Sequence, residues 1–64
     1  MPIVRVEMFE GRDNETKREL VQALTREMVR VTGCKEASVS IVITDISKDN
    51  WGVGGEIARL KYPD

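Results

Sequence analysis

The sequence of 64 residues has no histidine and a single cysteine, Cys34. Without histidine, the Ser–His and Cys–His pairs of nucleophilic enzymes cannot form. One cysteine excludes a disulfide within the chain and argues against a zinc or iron–sulfur site, so we expect no metal. Cys34 follows the end of a predicted helix, where the helix dipole disfavours a thiolate, and we interpret it as a structural thiol.

Long apolar runs and runs of like charge are also absent. No stretch approaches the 18 apolar residues of a membrane span, and no secretory signal pattern precedes the first strand, so we expect a cytoplasmic protein that does not insert into membranes. Charged residues make up 33% of the chain, but the net charge is −1 and the two signs are interspersed. A nucleic-acid partner is therefore not expected, because it would require a basic patch.

A chain this short forms one domain, residues 1–64, with a small core. Folding of such a domain buries only about 60% of the surface that its unfolded chain exposes. Domains of this size often need disulfides, a metal or partner subunits. Because the first two are not expected here, the composition predicts an oligomer.

The hydrophobic pattern predicts two strands with a helix between them. IVRVEMF alternates like a strand, and SVSIVITDI (residues 38–46) reads as a second strand. Between them, a helix is predicted over Asn14–Thr32, with Asp13 as its N-cap and Gly33 ending it. Its apolar stripe is formed by Leu20, Val21, Ala23, Leu24, Met28 and Val31. A helical crossover makes the strands parallel, and it leaves one face of the sheet uncovered.

The last third of the chain is rich in turns. Gly52, Gly54 and Gly55 predict a tight hairpin, with Trp51 and Val53 as its apolar contacts. The GVGG run lacks the Lys-Ser/Thr pair of a phosphate-binding loop, so nucleotide binding is not expected. The predicted fold class is α/β: a β-α-β subunit with a C-terminal β-hairpin.

Pro2 is the residue with the clearest catalytic potential. The initiator Met is normally removed before a small second residue, and its removal leaves Pro2 with a free secondary amine. An α-amino group has a pKa of about 7.7 to 8.0, which an apolar pocket and nearby cations lower. Such an amine can act as a general base, or it can attack a carbonyl to form an iminium. On pattern alone, a proline at the start of a strand is also ordinary.

Several segments together resemble the 4-oxalocrotonate tautomerase family of the tautomerase superfamily. They are PIVRVEMFEGR at the start, ETKRELV in the helix, SVSIVIT in the second strand and KDNWGVGGE in the tail. The resemblance extends over residues 2–60, and it lies in the order and spacing of the segments. It implies a tautomerase-like fold that assembles as a hexamer, a trimer of dimers, and uses no cofactor.

The resemblance implies a keto–enol isomerase of aromatic-compound catabolism, with Pro2 as the catalytic base. Its substrate would be an unsaturated 2-oxo acid such as 2-hydroxymuconate. Arg12 matches the family arginine that binds the carboxylate distal to the oxo group, as a guanidinium fork can. Trp51 matches an aromatic wall of the substrate pocket, and Phe9 and Val53 match other apolar wall positions.

One position departs from the family pattern. The second substrate arginine of the family lies in the second strand, where this chain has Ser40. A serine donates one hydrogen bond but cannot supply the charge that stabilises a dienolate. Three explanations remain open: another cation, Arg5 or Lys35, takes its place; a paralogous subunit supplies the arginine; or the substrate has a single carboxylate.

Two other functions are compatible with the sequence. Ser40 is compatible with a non-catalytic partner subunit of a mixed hexamer, so both a homohexamer and a heterohexamer are considered. A hydratase or dehalogenase of the same superfamily would need a carboxylate to activate water. Around Trp51 the sequence offers none, since Glu56 comes too late, and we interpret Glu7 and Asp45 as surface residues.

Overall fold

The computed structural model describes residues 1–63. Its elements are β1 (Ile3–Phe9), α1 (Asn14–Thr32), a 3-10 turn (Glu36–Ser38), β2 (Ser40–Ile46), a second 3-10 turn (Lys48–Asn50), β3 (Gly52–Val53), β4 (Glu56–Ile57) and α2 (Ala58–Lys61). The predicted β-α-β subunit with a C-terminal hairpin is confirmed. The second strand begins two residues later than predicted, because Ser38 closes the first 3-10 turn.

β1 and β2 form a parallel pair in which Ile3 lies opposite Ser40 and Phe9 lies opposite Ile46. Alternation along the strands separates two faces. One face carries half-buried apolar side chains toward α1: Val4, Val6, Met8, Ile41 and Ile43. The other face is uncovered, and Ile3 and Val42 on it are 57% and 40% exposed.

The helix begins and ends where the sequence predicts. The Asp13 carboxylate accepts a hydrogen bond from the Thr16 amide at 2.9 Å. Hydrogen bonding to the Thr16 side chain, and then to this amide, lowers the pKa of that carboxyl group. At the other end, Gly33 adopts φ 74° and donates its N–H to the carbonyl of Val29 at 2.9 Å. That left-handed conformation favours glycine because other residues have a Cβ.

The apolar stripe of α1 differs from the prediction at two positions. Ala23 is exposed and Val31 is 66% exposed, whereas Val29 is half-buried. A helix of 19 residues spans about 28 Å and a strand of seven about 23 Å, so the last helical turn, with Val31, extends past the sheet. Lys17 of α1 is half-buried and pairs with Asp45 of β2.

Very little of the molecule is fully buried. Within residues 1–63, Ala58 is the one residue in the buried class. It opens α2, a short helix that the sequence did not predict, and its N–H donates to the Trp51 carbonyl at 2.7 Å. No helix in the described part of the chain is both long and apolar enough to cross a membrane.

Candidate functional site

Pro2 lies at the N-terminal end of the sheet, which we call the proline end. Its ring is half-buried at the start of β1, and its carbonyl accepts the Ser40 N–H at 3.0 Å. This bond extends the β1–β2 ladder by one residue and fixes Pro2 beside the first residue of β2. Met1 precedes it and is 92% exposed. While Met1 is present, the Pro2 nitrogen is an amide nitrogen with no basicity.

The opposite end of the sheet carries an aromatic cluster, and we call it the aromatic end. The rings of Phe9 and Trp51 meet edge to face with centroids 4.6 Å apart, and Tyr62 is 6.2 Å from Phe9. The Lys48 ammonium sits 5.5 Å from the Phe9 ring centroid and donates to the Tyr62 carbonyl at 2.7 Å. A cation over a ring face is attracted by the ring quadrupole.

The segment after β2 holds Trp51 in place. The Ser47 hydroxyl accepts the Asp49 N–H at 3.1 Å and caps the second 3-10 turn. The Arg59 guanidinium of α2 then donates to the Asp49 carboxylate at 2.8 Å, which lowers the pKa of Asp49. Between Asp49 and Arg59 in the chain, β3 and β4 are joined by a turn in which Gly54 has φ 62° and Gly55 has φ 83°. The tail is thereby folded back on itself around Trp51.

Trp51 borders an open groove of about 250 Å³, whose other lining residues are Glu7, Ile46, Asn50 and Gly52. Glu7 therefore lies next to the aromatic end, where the sequence offered no carboxylate. Its exposure agrees with the surface position predicted for it. Its place beside Trp51 arises because β1 puts Glu7 on the same face as Phe9, two residues later. Alternation along β1 could have shown that Glu7 and Phe9 share a face, but not that the tail brings Trp51 next to them.

Arg12 and Val53 lie at the same end. Arg12 is exposed in the loop between Phe9 and Asn14, just after Gly11, which has φ 115°. Val53 is half-buried on β3. Four of the six predicted site residues are thus near one end of β1, whereas Pro2 and Ser40 are at the other.

The two ends are too far apart to act on one small molecule within a chain. From Ile3 to Phe9 the strand rises by about 20 Å. The whole chain measures 42 × 24 × 14 Å, so the strand spans a large part of it. The predicted site residues therefore form two half-sites in the single chain, and no direct contact joins Pro2 to Arg12 or Trp51.

The rest of the described chain offers little chemistry. A second groove of about 470 Å³ runs between α1 and the first 3-10 turn, and it is lined by Val21, Gln22, Thr25, Arg26, Glu36 and Val39. Cys34 is half-buried, with its sulfur 4.0 Å from the Met28 carbonyl. Within residues 1–63, no three His, Cys, Asp or Glu side chains are grouped closely enough to hold a metal ion.

Comparison with known proteins identifies the family. The model of the protein family described as "Tautomerase enzyme" matches residues 2–61 of this chain. The chain is 37% identical over 59 residues to a 2-hydroxymuconate tautomerase from Comamonas testosteroni, covering 92% of this chain and 94% of that protein.

Solved structures agree. A structure from the 4-oxalocrotonate tautomerase isozymes of Methylibium petroleiphilum superposes with a TM-score of 0.91 at 33% identity, covering 95% of this chain and 98% of that one. A heterohexamer 4-oxalocrotonate tautomerase from Chloroflexus aurantiacus gives 0.86 at 33% identity, with 91% and 94% covered. The family match spans both half-sites, and the chain belongs to the tautomerase family.

Proposed function

We propose that this protein is a cofactor-independent keto–enol tautomerase and that the free amine of Pro2 is its general base. The observation that carries the proposal is the position of Pro2 in a member of this family: it is half-buried and its carbonyl is bonded to Ser40. The similarity to a 2-hydroxymuconate tautomerase suggests the substrate class, unsaturated 2-oxo acids such as 2-hydroxymuconate.

The reaction moves one proton and needs no redox partner. With Met1 removed, the neutral Pro2 amine accepts the proton of the enol hydroxyl, and electron density shifts along the conjugated chain. The resulting ammonium returns the proton to a carbon, which gives the 2-oxo product and regenerates the neutral amine. A base with a pKa near the working pH suits both halves of this transfer.

The other predicted residues bind the substrate. Arg12 holds the carboxylate distal to the oxo group through its guanidinium fork. An apolar wall is formed by Trp51, Phe9 and Val53, and it lowers the local dielectric, which favours the neutral form of the Pro2 amine. Ser40, beside Pro2, donates a hydrogen bond at the oxo-acid end.

This arrangement needs more than one copy of the chain, because Pro2 and Trp51 lie at opposite ends of β1. We propose that Pro2 of one copy meets the aromatic end of another, and that the copies form a homohexamer. The uncovered sheet face, with exposed Ile3 and Val42, supplies apolar surface for such contacts. A mixed hexamer is the alternative, as in the heterohexamer from Chloroflexus aurantiacus, and Ser40 is the feature that favours it.

Substitution of the two prolines tests the function directly. Intact mass first establishes that Met1 is absent, and ketonisation of 2-hydroxymuconate is then followed by ultraviolet absorbance. We expect Pro2→Ala to lower kcat/KM by about 10²–10⁴-fold, because it removes the positioned secondary amine. Pro63→Ala is the matched control, and it should leave kcat/KM unchanged.

Three results would contradict the proposal or modify it. Equal turnover by Pro2→Ala and the parent would exclude the proline-base mechanism. An inactive hexamer that gains activity when mixed with an arginine-bearing paralogue would make this chain a partner subunit. Halide release from 3-haloacrylates without ketonisation would favour a hydratase or dehalogenase, for which Glu7 beside Trp51 is the water-activating carboxylate.

A further inference from the structure

The proline end of the sheet carries one cation on its uncovered face. Arg5 lies on β1 opposite Val42, one same-face position beyond the Ile3–Ser40 pair. It is exposed, and within residues 1–63 no ion pair or hydrogen bond engages its guanidinium. Because this is the face proposed to pack against another copy, the guanidinium, which has no carboxylate partner in its own chain, lies where an anionic ligand held between two copies can meet it.

The spacing places Arg5 within reach of Pro2. Their Cα atoms are three residues apart on an extended strand, which is about 10 Å. An extended arginine side chain covers about two residue steps of a strand, so its fork can reach the space beside Pro2 and Ser40. Ser40 is at that edge, because its N–H is bonded to the Pro2 carbonyl.

Of the two cations considered in place of the family arginine at Ser40, Arg5 is the better placed, and Lys35 is less so. Glu7, two residues along β1, is the other charged side chain on the uncovered face of β1, and β2 presents Ser40, Val42 and Thr44 there. Lys35 directly precedes the first 3-10 turn. It is outside the β1–β2 ladder.

We propose that Arg5 binds the carboxylate adjacent to the reacting oxo group, with the Ser40 hydroxyl donating a hydrogen bond beside it. The inference rests on the proposed function and adds a substrate-binding residue to it: the carboxylate that Arg5 binds is the one that every 2-oxo acid carries next to the enol carbon. Arg5 then supplies positive charge where the dienolate develops negative charge. Because the charge comes from this same sequence, it replaces an arginine in β2 without a paralogous subunit.

Neutral and charged variants of Arg5 test this inference, with two other cations as controls. The variants are Arg5→Gln, Arg5→Lys, Lys35→Gln and Arg18→Gln; Arg18 is an exposed residue of α1. Two substrates are compared, 2-hydroxymuconate and the monocarboxylate 2-hydroxy-2,4-pentadienoate. We expect Arg5→Gln to lower kcat/KM about 10–100-fold for both, because both carry the carboxylate next to the enol. In Arg5→Lys, kcat/KM should fall less, and in the two control variants kcat/KM should equal that of the parent.

A second readout does not depend on turnover. The Pro2 amine, with Met1 removed, is titrated by nitrogen-15 NMR in the parent and in Arg5→Gln. Loss of a nearby cation makes protonation easier, so the pKa of Pro2 should rise in Arg5→Gln, more at low salt than at high salt. Circular dichroism and size-exclusion chromatography establish that each variant keeps its fold and assembly.

The outcomes separate this inference from the proposed function. If the parent turns over substrate through Pro2 but Arg5→Gln matches Arg18→Gln in both rate and Pro2 pKa, the Arg5 assignment is wrong and the function stands. If the parent has no activity, the function fails, and an unchanged Pro2 pKa in Arg5→Gln overturns the assignment as well. Loss of activity in Lys35→Gln alone would move the role to Lys35.

Discussion

The two ends of the parallel sheet are built differently. The aromatic end is held by many side-chain contacts: Phe9 against Trp51 and Tyr62, and Arg59 on Asp49. At the proline end, a backbone hydrogen bond from Ser40 to Pro2 extends the β1–β2 ladder, and no aromatic side chain is present there within residues 1–63. The first is suited to shape an apolar pocket, and the second to present an amine. Neither end holds all of the predicted site residues, so the proposed site requires both ends, taken from two copies of the chain.

Mixing two inactive variants is the strongest test of whether the two ends act together across two chains. If Pro2 of one chain acts with Arg12 of another, Pro2→Ala and Arg12→Ala subunits that are unfolded, mixed in equal amounts and refolded together should regain about a quarter of parent activity. Each variant refolded alone should stay inactive. The measurement is 2-hydroxymuconate turnover after refolding, with refolded parent as the reference.

The control for mixing is the double variant Pro2→Ala/Arg12→Ala refolded with the parent in equal amounts. It should also retain about a quarter of the activity if the site joins two chains, and about half if each chain carries a whole site. Retention of half, together with no recovery in the first mixture, would show that both ends act within one chain.

Arg12 allows a finer test of the aromatic end. Arg12→Gln removes the guanidinium that is proposed to hold the distal carboxylate, so kcat/KM for 2-hydroxymuconate should fall by about 10²-fold. The monocarboxylate 2-hydroxy-2,4-pentadienoate lacks the distal carboxylate, so kcat/KM for it should fall little in Arg12→Gln. Arg5→Gln, at the proline end, should impair both substrates. An equal fall of kcat/KM for both substrates in Arg12→Gln would mean that Arg12 does not bind the distal carboxylate.

How much the sequence predicts depends on how local each feature is. The caps of α1, Asp13 and Gly33, were predicted correctly because each depends on its own backbone and on residues within one turn. The α2 helix was missed because four residues are too few to show a periodic pattern. The exposure of Val31 was missed for a different reason: the overhang of a helix depends on the length of the sheet beneath it.

The candidate site shows the same division. The sequence identified Pro2, Arg12 and Trp51 by type and position, and their roles remain predictions. It did not place Glu7 in the groove beside Trp51, since that neighbour arises only when the tail folds back over the end of β1. The two half-sites are separated by the length of β1, a strand of seven residues. The sequence pattern predicts this strand, so the separation could have been predicted as well.

The smallest expected effect concerns how firmly the aromatic end is held. Arg59 lowers the pKa of Asp49 mainly by its hydrogen bond, so the folded pKa lies below the unfolded one. The stabilisation is therefore fully present above the unfolded pKa of about 3.9, and it is lost as the pH falls through the folded pKa. Asp49→Asn should be less stable than the parent at pH 6, and the difference should shrink as the pH drops below about 4.

Trp51 is the single tryptophan, so its fluorescence during urea unfolding, at fixed protein concentration, reports on this end of the molecule. Glu27→Gln is the matched control. Glu27 also has a lowered pKa, caused by its hydrogen bond from Arg30, but it lies on the exposed side of α1. It should alter the unfolding midpoint in the same pH window while leaving the native Trp51 emission unchanged, whereas Asp49→Asn should change that emission too. An unchanged Trp51 emission in Asp49→Asn would mean that the Arg59 contact does not hold the indole in place.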